Sequence, residues 1–260
     1  MTATTEHRPM RTTEPVQIRQ YSLAGILGTW AAAALPMAAM AWLVAPQLAA
    51  HLDGPTALPR ALIVALTCGL IWQFVLVMIL VYRERRSLRW SILKDALWLH
   101  APRRPRTGRR GGVIWLIVIP LIIALAAEEL IPSLPTPMTR DMGLFLGSQA
   151  GQTFLSGNWL WLGIIVVLQI FNTVLGEELL FRGLLLPRMN GRFGRWDWVA
   201  NGVLFALYHL HVPWVIPQAL LDMFILAYPS KRYRSALIGI VVHSAQSVVF
   251  AGLALAVVLK

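Results

Sequence analysis

The sequence predicts an all-α protein, a polytopic membrane bundle of about seven, or eight, transmembrane helices. Hydrophobic residues make up 57% of the 260-residue chain and charged residues only 13%, whereas soluble proteins average roughly 45–50% and 25%. The mean hydropathy is +0.62. A soluble fold of this length could not bury so much apolar surface, so lipid must form part of its surroundings.

The distribution of positive charge supports the same fold and argues against a nucleic-acid partner. The net charge is +11, but it is concentrated in three clusters, residues 83–110, 188–195 and 231–234, that lie between apolar runs. Basic connections between spans are typical of the cytoplasmic side of a membrane. The same charge is also suited to anionic lipid headgroups, so membrane lipids are expected partners.

The predicted helices are apolar stretches of about the 17–25 residues that a bilayer requires. The first is too long for a signal-peptide core, which predicts a retained span. The fifth and sixth are shorter and weaker than the others. The stretches cover approximately residues 21–45, 61–82, 113–129, 159–176, 197–211, 212–228 and 236–259.

Placing the basic clusters in the cytoplasm orients the whole chain. The N-terminus is then cytoplasmic, seven helices alternate, and the C-terminus lies outside, which predicts a multi-pass protein of the cell membrane. The segment 132–157 would lie outside, and its moderately apolar part, 142–154, is re-entrant, interfacial or an eighth helix. Three regions follow: a polar tail over 1–20, an N-terminal transmembrane region over 21–158 with a basic loop at 83–112, and a C-terminal transmembrane region over 159–260.

Ionisable side chains inside the predicted spans mark the candidate functional site. Each costs roughly 2.5–3.5 kcal/mol at the bilayer centre on insertion scales, so it normally has a partner and a purpose. In this chain they are concentrated in the C-terminal half. They are Glu177, Glu178, Arg182, His209, His211, Asp222 and His243.

The segment from Glu177 to Arg182 combines two carboxylates with one guanidinium. In a helix, Glu178 and Arg182 are four residues apart and can neutralise each other. Glu177 is rotated from Glu178 by about 100° and lacks that partner, which suits it to act as a general base. The alternative is a charged helix end with a simple salt bridge. The pair 128–129, also two glutamates, has no arginine four residues later and is interpreted as an interfacial boundary.

Three histidines lie in the last predicted spans. His209 follows Phe205 by four residues, so the two side chains share a helical face. His211 points about 200° away from His209 unless Pro213 loosens the helix, which leaves its role open. A single membrane histidine is commonly a helix–helix hydrogen bond. A carboxylate with His209 and His243, on three different helices, can instead polarise water, stabilise an oxyanion or bind a divalent metal.

These three segments together resemble the CPBP intramembrane protease family, which includes type II CAAX prenyl endopeptidases, lysostaphin-resistance-like proteins and bacterial Abi-type proteins. The family motifs are Glu-Glu-x-x-x-Arg, Phe-x-x-x-His and His-x-x-x-Asn, each on its own transmembrane helix. In this chain they correspond to Glu177–Arg182, Phe205–His209 and the segment that begins at His243. The resemblance covers about Leu160 to Leu259. It implies that 159–260 is the catalytic region and that 21–158 is variable.

The resemblance also implies a role for each matching position. Glu177 would be the base that activates the attacking water, and His209 would assist it. His243 would stabilise the oxyanion of the tetrahedral intermediate. The implied supporting residues are Glu178, Arg182 and Phe205.

The chain departs from the family pattern at one position. Four residues after His243 the family usually has Asn or Asp, whereas this chain has Ser247. A hydroxyl can donate to an oxyanion but reaches less far than an amide. Ser247 is therefore a candidate catalytic residue, and its presence is compatible with slow chemistry, with a different use of Ser247 or with lost activity.

The implied cofactor is either Zn²⁺ or none. Glu177, His209 and His243 could hold Zn²⁺ with water as the fourth ligand, as in a metalloprotease. The same groups could activate water unaided, and we expect no tightly bound metal.

The leading functional prediction is an intramembrane endopeptidase that cleaves a membrane-associated protein or peptide, lipidated or not. Its site is expected to open to the cytoplasm, because Glu177 lies at the cytoplasmic end of its predicted helix. One alternative is a catalytically weak or inactive Abi-type immunity or scaffold protein, which Ser247 favours. A proton-coupled transporter is a further alternative, although no inverted repeat is visible in the sequence.

Overall fold

The computed structural model describes residues 18–260 except 132, 133 and 138, and these residues form helices and loops without a β-strand. The all-α prediction is therefore confirmed for the described chain. Most of the predicted polar tail, residues 1–17, lies outside the described residues. The helices are α1 (Leu23–Ala49), α2 (Ala57–Arg85), α3 (Trp90–Ala96), α4 (Gly112–Ala127), α5 (Met142–Gly147), α6 (Gln149–Leu155), α7 (159–193), α8 (Asp197–Tyr208), α9 (Ile216–Ala219), α10 (223–233) and α11 (Ala236–Val258).

Four helical stretches of the described chain are long and apolar enough to cross a membrane: Leu23–Ala49, Ala57–Arg85, Trp159–His211 and Ala236–Val258. They contain the first, second, fourth and last predicted spans. The third predicted span is the shorter apolar helix α4. The predicted sixth span, 212–228, is divided among short helical turns, and 142–154 forms the two short helices α5 and α6.

The stretch Trp159–His211 contains two antiparallel helices. Its 53 residues would measure about 80 Å as one helix, far more than a bilayer. The chain reverses after α7 at Gly194, whose φ of +52° suits glycine. The amide of Asn201 in α8 then donates to the carbonyl of Phe181 in α7 at 2.9 Å, and the rings of Phe181 and Phe205 lie 5.0 Å apart. The boundary predicted near residue 197 is therefore present as a turn.

Apolar side chains cover the outside of the bundle as well as its core. Large aliphatic residues on four different helices are strongly exposed, which is expected of helices that face lipid. One buried core joins α1, α2, α7, α8 and α11, so the two predicted transmembrane regions pack as one body. The exposed examples are Leu43 (62%), Ile123 (64%), Leu160 (72%) and Val248 (71%).

The three basic clusters lie at the same end of the bundle. Arg188, from the second cluster, binds the carboxylate of Glu84 at the end of α2, with Nη2 2.7 Å from Oε2. The backbone N–H of Arg103, from the loop after α3, donates to the carbonyl of Tyr233 in the third cluster at 2.9 Å. The two contacts bring together chain segments that are far apart in sequence, and they define one basic end of the fold.

The middle of α7 is wound as a π-helix over Ile170–Leu185. At its end the N–H of Leu186 donates to the carbonyl of Phe181, five residues earlier. Glu177 therefore lies in the middle of a continuous helix, and its predicted position at a helix end is wrong. The polar residues 177 and 178 did not end the helix because both are buried against other helices. π-Helical turns occur frequently at functional sites.

Candidate active site

Glu178 is the centre of a buried charge network. Its side chain is fully buried, and its Oε1 accepts a hydrogen bond from His243 Nδ1 at 3.1 Å. Its Oε2 lies 3.5 Å from Arg182 Nε. The pairing of Glu178 with Arg182 is thus present, and His243 is a second partner that the spacing within α7 could not reveal. Gly239 of α11 makes room for this carboxylate, since a Cβ at that position would overlap Glu178 Oε2.

Phe205 joins the three motif segments. The guanidinium carbon of Arg182 lies 4.0 Å from the centre of the Phe205 ring, a cation–π distance. The Phe205 ring also meets His209 edge-on at 4.9 Å and His243 edge-on at 6.1 Å. This one aromatic ring therefore contacts a functional candidate on α7, one on α11 and one in the turn that follows α8.

Both candidate histidines are oriented through Nδ1. His209 Nδ1 lies 2.9 Å from the backbone carbonyl of Phe205, and a carbonyl can only accept, so Nδ1 carries the proton. His243 Nδ1 faces the carboxylate of Glu178 in the same way. The tautomers follow from these acceptors. In the neutral ring, Nε2 of each histidine then presents a lone pair.

His211 lies beside His209. The α-helix ends at Tyr208 and tightens into a 3₁₀ turn over His209–His211. The two imidazoles stack, with ring centres 5.6 Å apart and planes 23° apart. The prediction that His211 points away from His209 holds only for a regular α-helix. The tighter 3₁₀ turn instead places the two rings side by side.

Glu177 is almost completely buried, with 2% of its surface exposed. The charges that act on it come from His243, Glu178, Arg182 and Asp222. Arg182 and His243 in turn act on His209. The structure therefore gathers the predicted base, both imidazoles and the supporting residues into one group, which is buried except for part of His209.

Tyr208 and Gln73 are members of this group that the sequence did not single out. The hydroxyl of Tyr208 faces Glu177 and accepts a hydrogen bond from Gln73 Nε2 at 2.6 Å. Both side chains are fully buried. Gln73 was visible as a large polar residue inside the second span, whereas nothing in the sequence distinguished Tyr208 from other tyrosines.

Asp222 is a third addition to the site. It was noted as an ionisable residue in a predicted span, but no motif contains it. It is 6% exposed, and its charge acts on Glu177 and His243. Its Oδ1 makes no hydrogen bond with any residue that the structure describes.

Ser247 lies one turn beyond His243, but its bonds run to a different part of α7. Its hydroxyl donates to Gln169 Oε1 at 2.9 Å and lies 3.3 Å from Thr173 Oγ1. Neither of these bonds reaches Glu177 or Glu178. The hydroxyl proton is therefore occupied within the protein.

The predicted metal ligands are not arranged as a metal site. Within the described part of the chain, no group of three His, Cys, Asp or Glu side chains is placed to hold a metal ion. A catalytic zinc site needs three protein ligands around the ion. Glu177, His209 and His243 do not fit that requirement in this geometry.

A cavity of about 410 Å³ adjoins the site. His211 and Ser247 lie in its wall, together with Pro59 from the beginning of α2 and Arg140 from the segment before α5. The basic end of the bundle is at the other end of α2, at Glu84. The cavity thus lies toward the end away from the basic clusters, which is opposite to the predicted cytoplasmic opening.

Part of the chain also matches a known protein family. Residues 158–249 match the family described as "Rce1-like: Type II CAAX prenyl endopeptidase Rce1-like". Searches of curated proteins and of solved structures gave no match. The matched range runs from the start of α7 into α11 and contains all three motif segments. The predicted resemblance is therefore confirmed, and the apolar spans together with this match indicate an integral membrane protein.

Proposed function

We propose that the protein is an intramembrane endopeptidase of the CPBP type, because residues 158–249 match the family of Rce1-like type II CAAX prenyl endopeptidases. It would hydrolyse a peptide bond of a membrane-associated protein or peptide, with or without a lipid group. The observation that carries the proposal is the convergence of Arg182, His209 and His243 around the Phe205 ring, with the buried Glu177 close to His243 and Arg182.

Glu177 is the general base of the proposed reaction. Its carboxylate takes a proton from a water molecule while the water oxygen forms a bond to the carbonyl carbon of the scissile peptide. When the tetrahedral intermediate collapses, Glu177 returns that proton to the leaving nitrogen. The C–N bond breaks, and the products are a carboxylic acid and an amine.

The two histidines have different proposed tasks. His209 Nε2 accepts a hydrogen bond from the attacking water and orients it, because Nδ1 is held by the Phe205 carbonyl. His243, when protonated on both nitrogens, donates through Nδ1 to Glu178 and through Nε2 to the oxyanion. Arg182 and Glu178 hold this imidazole in place.

The proposed reaction needs no metal. The described donor groups do not form a three-ligand site, so water activation is assigned to Glu177 and His209. We therefore expect that a chelator leaves the rate unchanged.

We propose the multi-pass topology of the cell membrane in the form that the sequence predicts, with seven or eight crossings. The gathering of the basic clusters at one end supports it, because basic residues are retained on the cytoplasmic side. The N-terminus would then be cytoplasmic and the C-terminus outside.

An inactive Abi-type scaffold is the second candidate. It is favoured by Ser247, because the hydroxyl proton that could serve an oxyanion is donated to Gln169. The two candidates differ in one measurable property, the hydrolysis of a peptide.

The test is a comparison of wild type, Glu177→Gln and the control Glu128→Gln, each purified in detergent. The probes are fluorogenic peptides with a C-terminal CAAX sequence, farnesylated or unmodified. We expect wild type and the control to cleave at similar rates. Glu177→Gln should reduce kcat by about 10²–10⁴, the range for loss of a general base. Cleavage by Glu177→Gln at the wild-type rate would overturn the assignment of the base, and a rate abolished by 1,10-phenanthroline would overturn the metal-free mechanism.

A further inference from the structure

A second cavity lies at the basic end of the bundle, well away from the glutamates of the site. Its volume is about 790 Å³. It forms where the loop between α3 and α4 packs beside α8 and the turn between α10 and α11. Six basic side chains line it: Arg103, Arg104, Arg195, Lys231, Arg232 and Arg234.

The walls of this basic cavity are fixed by backbone contacts. Arg103 N–H donates to the Tyr233 carbonyl at 2.9 Å, and Ala236 N–H donates to the Trp98 carbonyl at 3.0 Å. Trp98 and Arg234 both adopt left-handed backbone conformations, with φ of 50° and 48°. Such conformations are unfavourable for these residue types and persist only where the surrounding structure holds them. The loop and the turn are therefore docked specifically.

Within the described part of the chain, no acidic groups balance most of the positive charge of the basic cavity. Among the residues that the structure describes, Asp197 is the one acidic residue in the lining, and Lys231 Nζ pairs with its carboxylate. The five arginines of the lining make no salt bridge with any acidic group of the described chain. Arginine presents a planar set of donors that matches phosphate oxygens. The cavity is thus prepared for an anion that carries several oxygen atoms.

Aromatic side chains in the lining suit the cavity to an amphiphilic anion. Trp98, Trp198 and Tyr228 share the lining with the arginines. The Trp198 ring packs edge-on against Tyr228 at 5.2 Å and against Phe224 at 5.5 Å, and Phe224 is 56% exposed on the outside of the bundle. Tryptophan and tyrosine are enriched at the level of lipid headgroups. An apolar path therefore leads from the basic cavity to the lipid-facing surface.

We propose that this basic cavity binds the phosphate-bearing headgroup of an anionic phospholipid, with the acyl chains lying along Trp198 and Phe224. Basic pockets between transmembrane helices are suited to such headgroups. The bound lipid would fasten the loop after α3 to the turn between α10 and α11. This inference does not depend on the protease activity.

The experiment measures lipid binding to the full-length protein by native mass spectrometry from detergent. The probes are phosphatidylglycerol, phosphatidylcholine of the same chain length, and inorganic phosphate. The variant Arg103→Gln/Arg104→Gln removes two charges from the basic cavity. The matched control Arg106→Gln/Arg109→Gln removes two charges from the same loop, at positions outside the lining.

We expect wild type and the control to bind phosphatidylglycerol at least tenfold more tightly than phosphatidylcholine. The cavity variant should lose roughly tenfold or more in phosphatidylglycerol affinity, as expected for two basic contacts with an anionic lipid. If that variant is not folded, as judged by thermal unfolding, Arg232→Gln gives the same comparison with one charge. If the cavity variant and the control lose equal phosphatidylglycerol affinity, the proposal is overturned, because the lipid is then attracted by the charge of the whole loop and not by the cavity. If inorganic phosphate displaces no bound lipid, the result supports the proposal of a lipid site. If inorganic phosphate binds as tightly as phosphatidylglycerol, the result overturns the assignment to a lipid.

Discussion

Two arginines on the same helix, Arg182 and Arg188, are both completely buried but have opposite surroundings. Nε and Nη2 of Arg188 donate to the carboxylate of Glu84, at distances of 2.7–3.1 Å. Its Nη1 donates to two backbone carbonyls, that of Ala96 at 3.0 Å and that of Leu184 at 2.8 Å. By contrast, none of the three side-chain nitrogens of Arg182 makes a hydrogen bond with a described residue.

The contrast separates a structural arginine from one that belongs to a reaction site. A buried charge is stable when its geometry and hydrogen bonds compensate the loss of water, and Arg188 meets that condition. Arg182 has an ion pair at 3.5 Å with Glu178 and the face of Phe205. Buried polar groups without partners are rare in proteins and require an explanation. We attribute those around Arg182 to the proposed catalytic centre, where substrate and water supply the remaining contacts.

Replacing Arg188 is expected to have the largest effect on stability. Arg188→Met removes the guanidinium partner of Glu84 and leaves a partly buried carboxylate with the Tyr21 hydroxyl as its remaining donor, at a cost of at most about 3–5 kcal/mol. Thermal unfolding in detergent would measure the loss. The double variant Glu84→Gln/Arg188→Met should recover part of it, because the uncompensated charge is then gone. Equal stabilities of the single and double variants would contradict the assigned role of the pair.

Gly239→Ala should perturb the site by displacing Glu178. The added Cβ overlaps Glu178 Oε2, and such overpacking typically costs about 1–3 kcal/mol. We expect kcat to fall by about 10², the size of the effect of a small misplacement at a reaction centre. Gly252→Ala is the matched control on the same helix, because its Cβ would meet nothing within 4 Å. Wild-type kcat in Gly239→Ala would show that the position of Glu178 does not matter.

Arg182→Met sharpens the comparison of the two arginines directly. The substitution removes the ion pair with Glu178 but no hydrogen bond, and Glu178 keeps its contact with His243. We therefore expect a loss of about 1.5–3 kcal/mol, the size of one charged contact. Peptide cleavage should nevertheless fall through kcat rather than KM. If Arg182→Met is destabilised as much as Arg188→Met and its kcat is unchanged, Arg182 is a structural residue and its assignment to the reaction site is wrong.

The sequence predicted the helical membrane fold and the local pairing of Glu178 with Arg182 better than the contacts between helices. The composition and the basic clusters indicated a helical membrane protein, and the spacing of Glu178 and Arg182 indicated their pairing. These features depend on residues that are close in sequence or on overall composition. The predicted count of seven or eight spans is not reproduced in the structure. By their length and composition, four helical stretches of the described chain could cross a membrane.

The features of the site that the sequence did not reveal depend on contacts between distant segments of the chain. Gln73 lies 135 residues from Tyr208, and no local pattern connects them. The stacking of His211 on His209 required the change from α-helix to a 3₁₀ turn, and the central position of Glu177 in α7 required a π-helix. These are local windings that tertiary packing selects, and an assumed α-helical period places the side chains on the wrong faces.

The smallest expected effect is that of Ser247→Ala, at the position where the chain departs from the family pattern. Ser247 resembles Arg188 rather than Arg182, because its hydroxyl is satisfied within the protein by Gln169. Losing that bond should cost about 0.5–1.5 kcal/mol and leave kcat within about threefold of wild type, whereas removal of an oxyanion donor costs about 10²–10³ in kcat. Steady-state cleavage of the fluorogenic peptides, with Ser244→Ala as the control on the same helix, distinguishes the two results. A hundredfold loss confined to Ser247→Ala would mean that the Gln169 bond breaks during the reaction, and that a satisfied side chain can still be catalytic in this fold.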